Sequence, residues 1–262
     1  MKKGKHFKKK EKVNSKIYIF LIIIFIISIS FVSYNLYNKY KNEKINKEAK
    51  DFINTNNETN ISKTEEQERI EKVKELKKEN SDIVGWMEIP NSNISYPVLQ
   101  GEDNSYYMTH NYKKEYSKDG SIFLDKDYDW RKPSTNLLMY GHNNRDSKEM
   151  FVDLMNYKEE SYYKDHKIIR FTTENEDTEY EIISVFLSRV YYKSEKDVFR
   201  YYYFINAENE EDFNYYVENS KKVSLYNIDT TAKYGDQLLT LSTCEYSQED
   251  GRLAVVARKI NN

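Results

Sequence analysis

Residues 237–260 read QLLTLSTCEYSQEDGRLAVVARKI and contain the chain's one cysteine, Cys244. The stretch divides into two β-strands around a polar turn. In the first strand Leu239, Leu241 and Thr243 face one way, while Leu238, Thr240, Ser242 and Cys244 face the other, because successive side chains of a strand alternate. The turn, 245–251, is acidic and closes on Gly251, as a hairpin loop of that length requires. LAVVARKI follows, rich in β-branched residues. If the strands pair, Arg252 at the start of the second lies beside Cys244 at the end of the first. The mouth of this hairpin then holds a thiol and a permanent positive charge.

Working outward, 262 residues suit one domain with additions rather than two domains. The formal net charge of −2 conceals an asymmetry: residues 1–16, MKKGKHFKKKEKVNSK, are dense in Lys with a single Glu, so the remainder is acidic on balance. Nucleic-acid binding would want basic residues on a folded face, and here they sit on a tail. One cysteine precludes an internal disulfide. The abundant Tyr, Asn, Ile and Lys are background usage.

Residues 17–37, IYIFLIIIFIISISFVSYNLY, carry no charge. They supply the ~20 apolar residues that cross a hydrocarbon core as a helix. The lysines before them place the N-terminus in the cytoplasm and the bulk of the chain outside. A cleaved signal peptide shares this plan, but the apolar run is long and no A-x-A-like site follows, which favours a retained anchor. Residues 38–80 read as an extracellular stalk, with a flexible break at 54–60 (NTNNETN). A charged helix follows over 62–79, with Thr64 and Gln67 as a capping pair; it reads as a solvated stalk helix, with Ile70, Val73 and Leu76 on a thin apolar edge by which part of it could dock against the domain.

The folded domain is expected over 81–262. Strands are expected at 82–90, 94–101, 121–125 and 136–143, and a hairpin at 167–173 and 178–190. A helix capped by Ser147 is expected within 147–166, from the spacing of Met150, Phe151, Leu154, Met155 and Tyr157. An insertion at 191–236 carries a short amphipathic helix over 209–220. The class is mainly β with helices laid outside, and a closed or nearly closed antiparallel-rich barrel hides so many edges most economically.

Three residues share a chemistry. A cysteine nucleophile needs a partner to accept its proton and return it to a leaving amine, and histidine suits both tasks. His142 ends a strand in a Gly-His-Asn turn. Arg252 keeps its charge and can stabilise an oxyanion without competing for the proton. Each alone has a bland reading: a buried small hydrophobe, a turn residue, a solvated strand end. His110, in YMTHNY, is a rival base that spacing does not exclude. His166 suits a helix C-terminus. No histidine pair or second cysteine makes a metal-ligand pattern, and the residues call for no cofactor.

TLSTC at 240–244, followed by Glu-Tyr, a short acidic loop and GRLAVVARK, closely resembles the active-site signature of sortases. LLMYGHN at 137–143 resembles their histidine segment. The resemblance covers roughly 81–260, and the TLSTC form and the helix-bearing insertion are most like class B. It implies an eight-stranded sortase-type β-barrel with peripheral helices, preceded by a transmembrane helix and helical stalk. It also implies a membrane-anchored cysteine transpeptidase that cuts secreted proteins after the Thr of a C-terminal sorting motif, usually of an Asn-Pro-x-Thr-Asn type in class B. A thioester intermediate then passes to an amine of the lipid-linked cell-wall precursor. On that resemblance Cys244 is the nucleophile, His142 the acid/base and Arg252 the oxyanion or substrate-positioning group, while Ser242 and Glu245 line the substrate groove. Two other readings use the same residues. An extracellular cysteine hydrolase shares the acyl-enzyme, and a tethered binding module would hold the three residues apart.

Overall fold

The computed structural model describes residues 15–55, 64–144 and 146–260. The basic tail, all but its last two residues, and most of the break at 54–60 lie outside them. The chain forms two units, one ending at Lys41 and one comprising Asn42–Asn262. Helix α1, Ser15–Asn54, contains the apolar segment, whose best window has a mean hydropathy of 2.6 and is unburied. It is long and apolar enough to cross a membrane.

Eight strands close a barrel: β1 (Ile83–Glu88), β2 (Ser95–Leu99), β3 (Ile122–Leu124), β4 (Asn136–Tyr140), β5 (Ile168–Thr172), β6 (Asp177–Arg189), β7 (Leu238–Cys244) and β8 (Gly251–Lys259). The order around the barrel is β1-β2-β3-β4-β7-β8-β6-β5. The pairs β2–β3 and β4–β7 are parallel and the rest antiparallel. Closure leaves no free edge. Alternate residues of the strands, among them Met87, Val98, Ile122, Met139, Phe171, Val185, Leu241 and Val255, share one buried cluster, the barrel interior. In β7 that alternation selects Leu239 and Leu241 for the interior and leaves Leu238 on the outer face.

Both outer faces near β7 and β1 are covered, so these strands are buried on both sides. Over β7 lies the insertion with helix α4, Glu210–Lys222, whose Asn209 caps Asp212 N. Phe213, Tyr216 and Val217 pack there on Leu138, Phe186, Leu238 and Val256. Two hydroxyl contacts pin the insertion to the strand: Tyr201 with Ser242 Oγ at 2.7 Å, and Tyr216 with Thr240 Oγ1 at 2.8 Å.

The other covering layer corrects the stalk reading. Helix α2, Glu65–Glu79, begins with the expected Thr64–Gln67 capping box. It docks by the thin apolar edge, the alternative to a solvated helix, and the end of α1 packs on the barrel beside it. Ile45, Ala49 and Ile53 of α1 join Val73 and Leu76 of α2 in one cluster with Ile83, Trp86, Tyr107, Tyr112 and Phe123. Lys72 donates to the carbonyls of Ile53 and Thr55, satisfying acceptors that the end of α1 leaves open. Arg69 Nε bonds Asp177 at 3.0 Å. The compact unit therefore starts at Asn42, not at residue 81.

A second correction concerns 147–166. No continuous helix forms and Ser147 caps none. Lys148 and Met150 take φ of 60° and 59°, a region an α-helix cannot use. A 3-10 segment, Asp153–Lys158, and a short helix α3, Glu160–Asp165, follow. The apolar spacing is real, since Met150, Phe151, Leu154 and Tyr157 are all buried, but it serves a loop wrapped over the barrel.

Candidate active site

The parallel pairing of β4 with β7 brings the distant segments together. Tyr140 stands opposite Ser242, and the ladder continues past the strand end, with Gly141 N donating to Ser242 O at 3.2 Å. Thr243 Oγ1 then donates to Gly141 O at 2.8 Å, and Asn143 Nδ2 to Cys244 O at 2.9 Å. Tyr246 donates its hydroxyl to Asn143 O at 2.9 Å. His142 is thus carried on a turn stitched to the Cys244 strand on both sides of the ring. On the other flank of β7, Cys244 pairs with Arg252 of β8. Imidazole, thiol and guanidinium line one cleft of about 260 Å³.

Packing under the turn restricts it further. A Cβ on Gly141 would sit 2.6 Å from a ring carbon of Phe151, which is itself fully buried, so the turn lies flat on that ring. Phe151 N donates to His142 O at 2.9 Å. The ring is fixed by its Nε2, 2.8 Å from the carbonyl oxygen of Met108. A carbonyl only accepts, so in this bond Nε2 is the donor. Gly120, at φ +58°, permits this arrangement, since a Cβ there would lie 2.6 Å from Met108 O.

Cys244 is half-buried and free. Arg252 lines the cleft and donates Nη1 to Gly251 O at 2.8 Å and to Asp250 O at 3.2 Å. His110, the rival base, does not line the cleft; its Nδ1 bonds Tyr106 O at 2.8 Å and its ring stacks on Tyr106 at 4.1 Å. His166 closes α3, with Nδ1 bonded to Tyr162 O at 2.9 Å.

The two groove residues part company. Ser242 lines the cleft. Glu245 does not, and although both residues are buried its carboxylate is turned to other partners. Oε1 takes Lys158 Nζ at 2.6 Å and Oε2 takes Ser247 N at 2.9 Å and Ser247 Oγ at 2.5 Å. Burial alone would raise its pKa, but Lys158 and Ser247 overcome this and hold the carboxyl down at about 2. Glu245 is the fastening of the β7–β8 turn.

Sequence reasoning missed Met108, Tyr201 and Tyr202, which also line the cleft. Met108 acts through a backbone oxygen that no side chain advertises. Tyr201 lies in a tyrosine-rich run where one ring is not marked out from the next. Its phenol is pushed up to about 12 by burial, against the pull of the Ser242 bond and the Arg252 charge. Asn143 follows His142 directly and was legible only as part of the turn. Among the described residues, no group of three or more His, Cys, Asp or Glu is placed to hold a metal ion.

A cleft lined by a thiol, an imidazole and a guanidinium holds the kinds of group that acyl transfer uses. Residues 87–260 match the sortase domain family. The chain belongs to the sortase family. It is 34% identical to sortase B of Staphylococcus aureus over 186 residues, covering 70% of this chain and 72% of that protein. The Bacillus anthracis sortase B structure in complex with AAEK1 superposes with a TM-score of 0.70 at 29% identity, covering 87% of this chain and 100% of that one. A Staphylococcus aureus sortase B–substrate complex gives 0.64 at 31% identity, covering 73% and 85%. This sortase is therefore a cysteine transpeptidase with class B relatives. Its barrel is the expected eight-stranded one.

Proposed function

We propose that this sortase is held in the cell membrane by residues 17–37, N-terminus inside, and joins secreted proteins to the cell wall outside. The substrate is a C-terminal sorting motif of the Asn-Pro-x-Thr-Asn type or a relative, cut after Thr. The single observation that supports the reading is that Cys244, His142 and Arg252 line the same cleft.

In the first half-reaction the Cys244 thiol gives its proton to His142 Nδ1 and the sulfur attacks the Thr carbonyl carbon. Arg252 stabilises the charge that builds on the carbonyl oxygen. The C–N bond breaks, the amine leaves with the proton from His142, and a thioester remains. In the second half an amine of the lipid-linked wall precursor attacks the thioester. It passes a proton to His142, the C–S bond breaks, and the returning proton restores the thiol. The hydrogen bond from Nε2 to Met108 O keeps the ring in one orientation through both halves, so no reorientation is required between acid and base roles.

The test is a peptide of the Asn-Pro-x-Thr-Asn type with triglycine as acceptor amine, followed by mass spectrometry. The wild-type chain should show an acyl adduct on Cys244 and a ligated product. Cys244→Ala should keep its fold and lose both. Turnover by Cys244→Ala at the wild-type rate would refute the nucleophile assignment, and cleavage that never yields ligated product would favour a hydrolase.

A further inference from the structure

The end of α1 does more than cover the barrel. Asn42, Asn46 and Lys50 recur at four-residue spacing and so share one helix face. Each reaches a different loop. Asn42 Oδ1 accepts from Asn111 Nδ2 at 2.8 Å, between two side chains that are both buried. Asn46 Nδ2 donates to Glu149 Oε2 at 3.1 Å, an oxygen that also accepts the Tyr96 hydroxyl at 3.0 Å. Lys50 Nζ donates to Asn93 O at 3.1 Å and lies 3.9 Å from the centre of the Tyr96 ring.

The first two of these loops are the ones that fix the His142 ring. The Asn111 loop supplies Met108 O, the acceptor for Nε2. The Glu149 loop supplies Phe151, whose N–H holds His142 O and whose ring supports Gly141. A further bond, Asn144 Nδ2 to Asp119 Oδ1 at 2.6 Å, ties the two loops to each other. His142 therefore sits where two loops meet, and each is hydrogen-bonded to the same helix face through a buried asparagine.

We propose that Asn42 and Asn46 are positioning residues for the transfer reaction: the last turns of the anchor helix set the His142 ring through the Asn111 and Glu149 loops. An apolar covering layer would need only Ile45, Ala49 and Ile53, which lie on the adjacent stripe. The buried amides add direction, since a hydrogen bond fixes donor and acceptor to within a few tenths of an ångström where apolar contact does not. A misplacement of ~1 Å at a reacting group costs up to about 10²-fold in rate. The proposal rests on His142 being the acid/base of the reaction above.

The experiment uses the full chain in detergent micelles with an internally quenched peptide of the Asn-Pro-x-Thr-Asn type that the wild-type chain cleaves. Asn46→Ala should lower kcat about tenfold with KM within about twofold. Asn46→Asp, which faces the Glu149 carboxylate, should lose more. Asn46→Asp combined with Glu149→Gln reverses donor and acceptor and should return kcat to within about threefold of wild type. Ile53→Ala is the control: it loosens the same helix within the apolar cluster it shares with Tyr107 and Tyr112, removes no hydrogen bond to either loop, and should lower Tm while leaving kcat per folded molecule unchanged. Three results would each overturn the proposal: wild-type kcat in Asn46→Ala, an equal kcat loss in Ile53→Ala, or no recovery in the double variant. His142→Ala separates the levels. If it is inactive while Asn46→Ala is normal, only the positioning proposal fails; if it turns over normally, the acid/base assignment fails.

Discussion

Replacing Glu245 by Gln separates a fastening from a substrate contact. In the folded chain the carboxyl is held at about 2 against its ordinary 4.5. A lowered folded value stabilises the fold wherever the group is ionised in both states, so the contribution is complete above about pH 5 and drains away as pH falls towards 2. At about 1.4 kcal/mol per pH unit the full displacement corresponds to roughly 3 kcal/mol. Lys158 is one-third exposed, so water screens part of the pair and about 2–3 kcal/mol is the working figure. Urea unfolding of Glu245→Gln should show that deficit at pH 7, shrinking to under half by about pH 3 as the wild-type carboxyl takes up its proton in the unfolded state. In the peptide-cleavage assay, KM measured on folded protein should stay within about twofold. A gap that is the same at pH 3 and pH 7 would refute the ion-pair account. A KM raised tenfold with stability unchanged would return Glu245 to the substrate groove.

Gly141→Ala places a methyl against the Phe151 ring and should cost about 1–3 kcal/mol by overpacking. It should also depress kcat, and Phe151→Leu in the same chain should recover part of both; thermal unfolding and single-turnover kinetics read the two effects. Arg252→Lys keeps a charge but loses the planar head bonded to Gly251 O, and kcat should fall by about 10²-fold with little change in Tm. Tyr201→Phe strands the buried Ser242 hydroxyl and should lower stability by about 1–3 kcal/mol in urea titrations. A chain begun at residue 81 leaves Ile83, Trp86, Tyr107 and Phe123 without the helices that cover them, so its Tm should fall well below that of a chain begun at Asn42.

Most strands were legible because each carries its own period. LLTLSTC alternates, and its inward leucines are the ones the barrel buries. The same local reading failed at 147–166. Met150, Phe151, Leu154 and Tyr157 recur as they would on a helix, yet Lys148 and Met150 turn left-handed, and the loop lies over the barrel with Phe151 under Gly141. Burial alone produces such spacing. What distinguishes loop from helix here is a long-range contact, and no window of local sequence contains it.

The candidate site shows the same division between local chemistry and distant geometry. Cys244 and Arg252 were readable as neighbours because only a short turn separates two strands that must pair. His142 reaches them only through the parallel β4–β7 register, about a hundred residues away along the chain, and parallel pairing leaves no hairpin signature between the strands. Glu245 was assigned to the groove by its position after the cysteine. In the structure its carboxylate is held by Lys158, which nothing near residue 245 announces. The packing of residues 42–54 on the barrel was not legible for a related reason. Between lysines and glutamates, Asn42 and Asn46 look like solvated polar residues, and an asparagine is informative only once its partner is in place. The buried amide bonds of α1 and the ion pair of Glu245 are each one half of a two-body contact, so a single sequence displays the half and leaves the contact to the fold.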